Sequence, residues 1–346
     1  MGLSVKDIIS RKEIEISSLK GKILCVDAFN ILYQFLSTIR QADGSPLVDN
    51  QKRITSHLSG ILYRNANLLA EGIKMIYVFD GKPPELKFKV HKKRGEIKDI
   101  AREKYEKAKD EEDVEGMKRY SSQLVRLNDE MIKESKELLE AMGIMVVSAP
   151  EEGESEASYL AKTKKEIYGV VSQDYDSLLF GAPFLIRNLA ISGKKKTYSG
   201  FIEVKPELIE LDSVLKELEI NSDQLICLGI LAGTDYNPKG VPGIGQKKAL
   251  EIVKKFETPE KIFEEMKERI DALSEEDYFD WREIFDLFKN FKTKDYEIKF
   301  PEVKFEKIRK LLIKEHDFSE ERVEKQIEKL NELKKSLKQK KLENWF

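Results

Sequence analysis

Residues 22–30 read KILCVDAFN: an apolar run rich in strand formers, then an aspartate, then the start of a helical pattern. So short an apolar run reads as a buried strand. Three more of the same kind follow, KMIYVF at 74–79, IMVVS at 144–148 and IYGVVS at 167–172. Helical patterns separate them. Residues 54–71 place Leu58, Ile61, Leu62 and Leu69 on one face, and residues 128–142 do so with Met131, Leu138, Leu139 and Met142. Strand–helix alternation predicts an α/β fold with a mostly parallel central sheet flanked by helices.

Acidic residues stand at the downstream ends of these and similar runs. They are Asp27 in ILCVDAFN, Asp80 in MIYVFDGKPP, Glu152 and Glu154 in VVSAPEEGESEA, Asp174 and Asp176 in YGVVSQDYDS, and Asp235 in LAGTDYN. The carboxyl ends of parallel strands open onto one crevice, where ligands bind. Carboxylates gathered there without cations repel, and some must take up protons. Hard divalent metals such as Mg²⁺ resolve that conflict through carboxylate and water oxygens. The pattern points to a metal-ion phosphodiesterase.

Composition narrows the alternatives. The 346 residues, 40% of them hydrophobic, suffice for a sizeable core. A net charge of −2, from 61 Lys+Arg against 63 Asp+Glu, looks unpromising for a nucleic-acid protein, but local patches set the field. Two distant cysteines, Cys25 and Cys227, argue against a disulfide framework or a zinc cluster and read as buried thiols. His57, His91 and His316 are scattered and form no metal motif. No secretory segment or long apolar run appears, so a cytoplasmic protein without membrane attachment is expected. Gly2 is followed by Lys6 where a myristoylation signal wants Ser or Thr.

From Leu86 to Lys109 ten Lys/Arg, among them Lys87 and Arg94, face four acids. A charge run ordinarily marks a solvated face. Its position just after Asp80 argues instead for a basic helical arch, residues 85–127, over the site's mouth. GVPGIGQKKALEIVKKF at 240–256 places Gly243 and Gly245 in a hairpin before a helix that carries Lys247 and Lys248. Glycines permit close backbone approach, and a helix N-terminus offers N–H groups to phosphate. Residues 223–256 thus read as a helix–hairpin–helix element that grips duplex backbone without reading sequence. Residues 256–301 read as helical, with no legible function. A last helix is expected over 318–338, with Ser319 as N-cap and Val323, Ile327, Leu330, Leu333 and Leu337 as its stripe. In the final QKKLENWF, Gln339, Leu342, Trp345 and Phe346 put apolar groups on one side of a helical turn, as a docking motif would.

VDAFN, VFDGKPP, APEEGESEASY, SQDYDSLLFGAP, GTDYNPKGVPGIG and KEHDFSEERV together resemble the flap structure-specific endonucleases of the archaeal and eukaryotic type, from Gly2 to Phe346. The absence of a basic extension after Phe346 points to the archaeal branch. The resemblance implies metal roles for all seven acids. Asp80, Glu152 and Glu154 would hold one Mg²⁺, with Asp174, Asp176 and Asp235 nearer a second, Asp27 acting through water and Mn²⁺ able to substitute. Glu152 and Glu154 are selected within EEGESE by Ala149-Pro150 before and Tyr159 after, which leaves Glu156 without a role. Lys87 and Arg94 would face the scissile phosphate, Tyr33 would stack on unpaired nucleotides, and Gly2 would lie near the site. The hairpin would hold downstream duplex and a monovalent cation. The tail, residues 339–346, resembles a motif for the sliding clamp PCNA, leaving residues 1–338 as one nuclease domain. The implied protein is a monomer that cuts 5′ flaps in branched DNA and has 5′–3′ exonuclease activity. A junction-binding adaptor without catalysis is the contrasting reading, and it has no need of seven acids facing a polyanion.

Overall fold

The computed structural model describes residues 5–41, 43–82, 126–197 and 200–343, with the backbone alone at 194–197, 200–202 and 333–343. Its main sheet is built from β1 (Lys12–Glu13), β2 (Ile23–Asp27), β3 (Lys74–Phe79), β4 (Met145–Ser148), β5 (Ile167–Val171), β6 (Phe184–Arg187) and β9 (Glu207–Glu210). The spatial order is β1-β9-β6-β5-β2-β3-β4. From β6 to β4 every pairing is parallel, and β9 and β1 add an antiparallel edge. A separate ribbon pairs β7 (Gly193–Thr197) with β8 (Gly200–Val204). The mostly parallel sheet of the sequence reading is therefore present. The antiparallel edge and the ribbon are additions to it: β1 has two residues and β9 four, too few to show a period.

Alternation divides the core. Successive strand side chains point to opposite faces. Leu24, Val26, Met75, Tyr77 and Phe79 meet α1 (Ala28–Thr38), α2 (Ser56–Ala70) and α3 (Asp129–Ala141) in one cluster. Cys25, Ile76, Val78 and Val170 meet Ala157, Leu160 and Ala161 of α4 (Gly153–Thr163) in another. Both cysteines are fully buried and unbridged, and the Cys25 thiol is raised by burial and then by the charge of Glu156. The Tyr77 hydroxyl donates to Asn65 Oδ1 at 2.9 Å. That bond avoids a cost of about 1–3 kcal/mol for an unsatisfied buried group. A third cluster joins Leu185 and Ile209 at the sheet edge to α5 (Asp176–Leu179), α6 (Leu211–Leu218), α7 (Ser222–Ala232), α8 (Gln246–Phe256), α9 (Pro259–Glu265), α10 (Lys267–Asp271) and α11 (Trp281–Lys289). Val5 and Ile9 of the N-terminal segment are buried in it.

Helix ends follow local chemistry. Asn128 caps α3 by accepting from Met131 N at 2.7 Å. Asp129 and Glu130 occupy the first turn, where the dipole favours acids. Asn221 and Gln224 form a reciprocal capping box on α7. The stretch 256–301 is only partly the helical region expected. Residues 291–304, between α11 and α12 (Phe305–Arg309), carry no helix. There Tyr296, Ile298 and Phe300 recur every second residue and pack on the α4-side cluster, an extended-chain period that helical reading passes over. The last helix, α13 (Glu320–Glu343), buries Val323, Ile327 and Leu330 as expected and runs past residue 338. Among the described residues no helix is long and apolar enough to cross a membrane.

Two of the scattered histidines meet. His316 Nδ1 lies 3.0 Å from Asp49 Oδ2 and its Nε2 lies 2.9 Å from Glu134 Oε1. Carboxylates only accept, so both ring nitrogens donate and the ring is protonated. His57 Nε2 approaches the other Glu134 oxygen at 3.5 Å, and Arg53 Nε donates to Asp49 Oδ2 at 2.7 Å. Arg53 also donates to the Glu315 carbonyl, and Asn50 N donates to Asp317 Oδ2 at 3.1 Å. The loop of residues 47–55 is thereby tied to the turn before α13.

Candidate active site

The chain leaves β2 for β3 and β4 on one side, then returns to β5 and β6 on the other. The crevice between β2 and β5 is thus the switch point where an α/β sheet binds ligands. Asp27 ends β2, Asp80 follows β3, Asp174 and Asp176 follow β5, and Glu152 and Glu154 lie at the start of α4.

Five of the seven carboxylates are held by named donors. Asp27 Oδ1 caps α1 by accepting from Asn30 N at 3.1 Å. Asn30 then bridges the crevice: its Nδ2 donates to Asp174 Oδ2 at 2.8 Å, and its Oδ1 accepts from Gln173 N at 3.0 Å. Asp80 Oδ1 accepts from Gly153 N at 2.7 Å. A Cβ on Gly153 would meet the Val78 carbonyl at 2.8 Å and Asp80 Oδ1 at 2.9 Å. Only glycine permits that approach. Glu154 Oε1 accepts from both the backbone and the hydroxyl of Ser177, one residue after Asp176. Glu152 Oε2 accepts from the Tyr236 hydroxyl at 2.7 Å, which brings the loop holding Asp235 to the same place.

The run EEGESE sorts by geometry. Glu152 and Glu154 turn toward Tyr236 and Ser177. Glu151 instead pairs with Lys292 at 2.7 Å, and Glu156 Oε2 accepts from Lys294 N at 3.0 Å. Both outsiders therefore fasten the extended segment that follows α11. Burial, with the Asp295 charge adding to it, pushes the Glu156 carboxyl up to about 7, and its Oε1 is buried without a partner. A raised carboxyl pKa means that the unfolded chain releases its proton first as pH rises from 4.5 toward 7, so stability is lost across that window. Glu156→Gln is expected to raise the melting temperature at pH 8, by about 2 kcal/mol of stability at most. At pH 4.5 it should change little. An equal effect at both pH values would show that charge is not the cause.

Electrostatics mark Glu154 as the meeting point. Burial, then the charges of Asp176, Asp174 and Asp27, push it well above the ordinary carboxylate range. Asp27, Glu152 and Asp176 are buried, and Glu154, Asp174 and Asp235 are half-buried. Among the described residues no three such side chains close on a common point as metal ligands. In donor chemistry the set fits a hard divalent cation: all oxygen, anionic, and mutually repelling until a cation is shared.

The other expected positions are more dispersed. Tyr33 is exposed on α1, the helix that Asp27 caps. The hairpin between α7 and α8 has Gly243 at φ 76°, a left-handed conformation that suits glycine. Gly245 is the N-cap of α8. Lys247 and Lys248 are exposed on the first turn of α8. Arg269 braces the hairpin by donating to the Pro242 carbonyl at 3.2 Å. Gly2, Lys87, Arg94, Trp345 and Phe346 lie outside the described residues, as does the expected arch through residue 125. Gln339 and Leu342 fall on the α13 backbone. Asn30, Ser177 and Tyr236 have no role in the sequence reading, although VDAFN, DYDS and TDYN contain them. A hydrogen-bond bridge between distant segments leaves no spacing to read.

The chain matches the XPG N-terminal domain over residues 3–101 and the XPG I-region over residues 143–235. It is 51% identical to Flap endonuclease 1 of Thermococcus onnurineus over 348 residues, covering 100% of this chain and 99% of that one. The chain belongs to the flap endonuclease family. Flap endonuclease 1 of Pyrococcus furiosus is 49% identical over 100% of this chain and 99% of its own. The solved flap endonuclease-1 from Methanococcus jannaschii superposes with a TM-score of 0.74 at 41% identity, covering 96% of this chain and 98% of that one. The catalytic core of Rad2, 22% identical with a TM-score of 0.67 over 96% of this chain and 100% of that one, shares the fold. Membership in this family makes the chain a nuclease, hence a hydrolase, and the family is metal-dependent.

Proposed function

We propose that the chain is a Mg²⁺-dependent, structure-specific DNA endonuclease that hydrolyses the phosphodiester near the base of a 5′ flap, with 5′–3′ exonuclease activity. The observation that carries this reading is the closure of the acidic cluster across the switch point: Asn30, whose backbone Asp27 caps, donates to Asp174, and Glu154 accepts from Ser177, the residue after Asp176. Asp80, Glu152 and Glu154, with Asp174, Asp176 and Asp235, would hold two Mg²⁺ or Mn²⁺ ions, and Asp27 would act through water. Bound there, such ions would supply Lewis-acid activation of water and charge stabilisation at the leaving oxygen.

The protein's own groups do the rest. Asn30 and Ser177 fix carboxylate oxygens, so less rotamer freedom is lost when the substrate arrives. Lys87 and Arg94 would neutralise charge on the non-bridging oxygens. Exposed Tyr33 would offer a stacking surface to unpaired bases. The Gly243–Gly245 hairpin, with Lys247 and Lys248, would grip duplex backbone and could seat a monovalent cation. Residues 1–338 would act as one monomeric nuclease domain, and Gln339, Leu342, Trp345 and Phe346 would dock on PCNA.

A labelled 5′-flap duplex tests the reading. Cleavage near the junction is expected with Mg²⁺ and none in EDTA. Tight junction binding without cleavage in any divalent metal would establish the adaptor instead. Deleting residues 339–346 is expected to spare basal cleavage and abolish stimulation by PCNA. Undiminished stimulation would refute the docking assignment.

A further inference from the structure

Tyr236 is unusually well anchored for a residue in a loop. Its backbone N donates to Thr234 Oγ1 at 3.1 Å, and that hydroxyl donates to Asn237 Oδ1 at 2.7 Å. Asn237 Nδ2 in turn donates to the Ile230 carbonyl at 2.7 Å, inside α7. The ring stands edge-on to Phe288, with centroids 5.4 Å apart. Phe288 packs on Phe180 at 4.8 Å, and Phe180 meets Phe291 at 5.1 Å. Phe180 directly follows α5, the turn that begins at Asp176. One aromatic cluster therefore links the Asp235 loop, the Asp176 turn and the C-terminal end of α11.

We propose that Tyr236 is a positioning residue for Glu152, and that this post sets the affinity of the carboxylate cluster for divalent cations. The inference rests on reading Glu152 as a metal ligand. Among like charges a carboxylate is driven outward, and a fixed donor opposes that drift. A lysine or arginine would hold Glu152 as firmly but would compete with the incoming cation. A phenol holds it without charge. Groups that orient a metal ligand typically change metal affinity or activity by about 10–100-fold when removed.

Mn²⁺ titration of the full chain, read by the electron paramagnetic resonance of free Mn²⁺, tests this without turnover. Tyr236→Phe is expected to raise the Mn²⁺ dissociation constant about tenfold. The Mg²⁺ concentration for half-maximal cleavage should rise by the same factor, with the plateau rate near that of the unaltered protein. In a Glu152→Gln background, Tyr236→Phe should add no further loss. A lower melting temperature in EDTA with unchanged Mn²⁺ affinity would reduce Tyr236 to a packing residue and overturn the inference alone. Unchanged Mn²⁺ affinity in Glu152→Gln itself would overturn the ligand assignment beneath it.

Discussion

Asp174→Ala and Asp80→Ala should each abolish flap cleavage, by about a thousandfold or more, with junction binding retained. A metal site supplies several kcal/mol of transition-state stabilisation. Each tenfold in rate corresponds to about 1.4 kcal/mol. Binding should survive because these acids face a polyanion. Removing one lowers repulsion, so affinity for DNA measured in EDTA should hold or increase. The two variants differ instructively. Asp174 shares the Asn30 bridge between β2 and β5, whereas Asp80 accepts from the Gly153 backbone. Each variant therefore strands a donor, Asn30 Nδ2 in Asp174→Ala and the Gly153 backbone N–H in Asp80→Ala. Single-turnover cleavage, with binding measured by anisotropy, decides the matter. Turnover within tenfold of the unaltered protein in either variant removes that residue from the metal site.

Glu134→Ala should cost about 3–5 kcal/mol of folding stability, although Glu134 has no place in the chemistry. It strips one carboxylate from a protonated, buried His316 and leaves the other facing both that ring and Arg53. The pH profile carries the signature. Burial raises the Glu134 carboxyl, but hydrogen bonds and charge from His316 and His57 outweigh it and hold the group down at about 2. Its contribution is present above its ordinary 4.5 and is lost as pH falls from there toward 2. Burial works against His316 too, but Glu134 and Asp49 raise it above 6.5, so its contribution is complete below 6.5 and lost as pH rises through the folded value. His57, lowered mainly by burial, loses stability in the other direction, as pH falls below 6.5. The cluster therefore contributes most near pH 6.5, and Glu134→Ala should flatten that maximum in denaturant titrations. A loss under about 1 kcal/mol, the size of an exposed ion pair, would show that the network is solvated.

What the sequence discloses depends on range. The strands at 23–27, 74–79, 145–148 and 167–171 announce themselves because burial on both faces forces an apolar run. The carboxylates are legible because parallel strands deliver their ends to one edge, which is topology and needs no distances. The choice of Glu152 and Glu154 within EEGESE requires the family resemblance, and the structure supplies the physical difference: the other two glutamates reach the segment after α11. The His57–Glu134–His316 meeting is illegible because it joins α2, α3 and the turn before α13 through side chains that carry no periodicity. The period-two run of Tyr296, Ile298 and Phe300 is readable in principle, yet its aromatic and charged flanks suggest helix.

Asp27 is both the cap of its helix and a member of the acidic cluster. Alanine there would fray the opening turn of α1 by about 0.5–2 kcal/mol besides removing a proposed member of the metal site. Asparagine, which caps as well, would erase the charge alone. Scaffold and proposed reactivity thus share one side chain at this point, and the alanine and asparagine variants separate the two demands: only the first should lower the melting temperature through the lost cap, while both remove the charge.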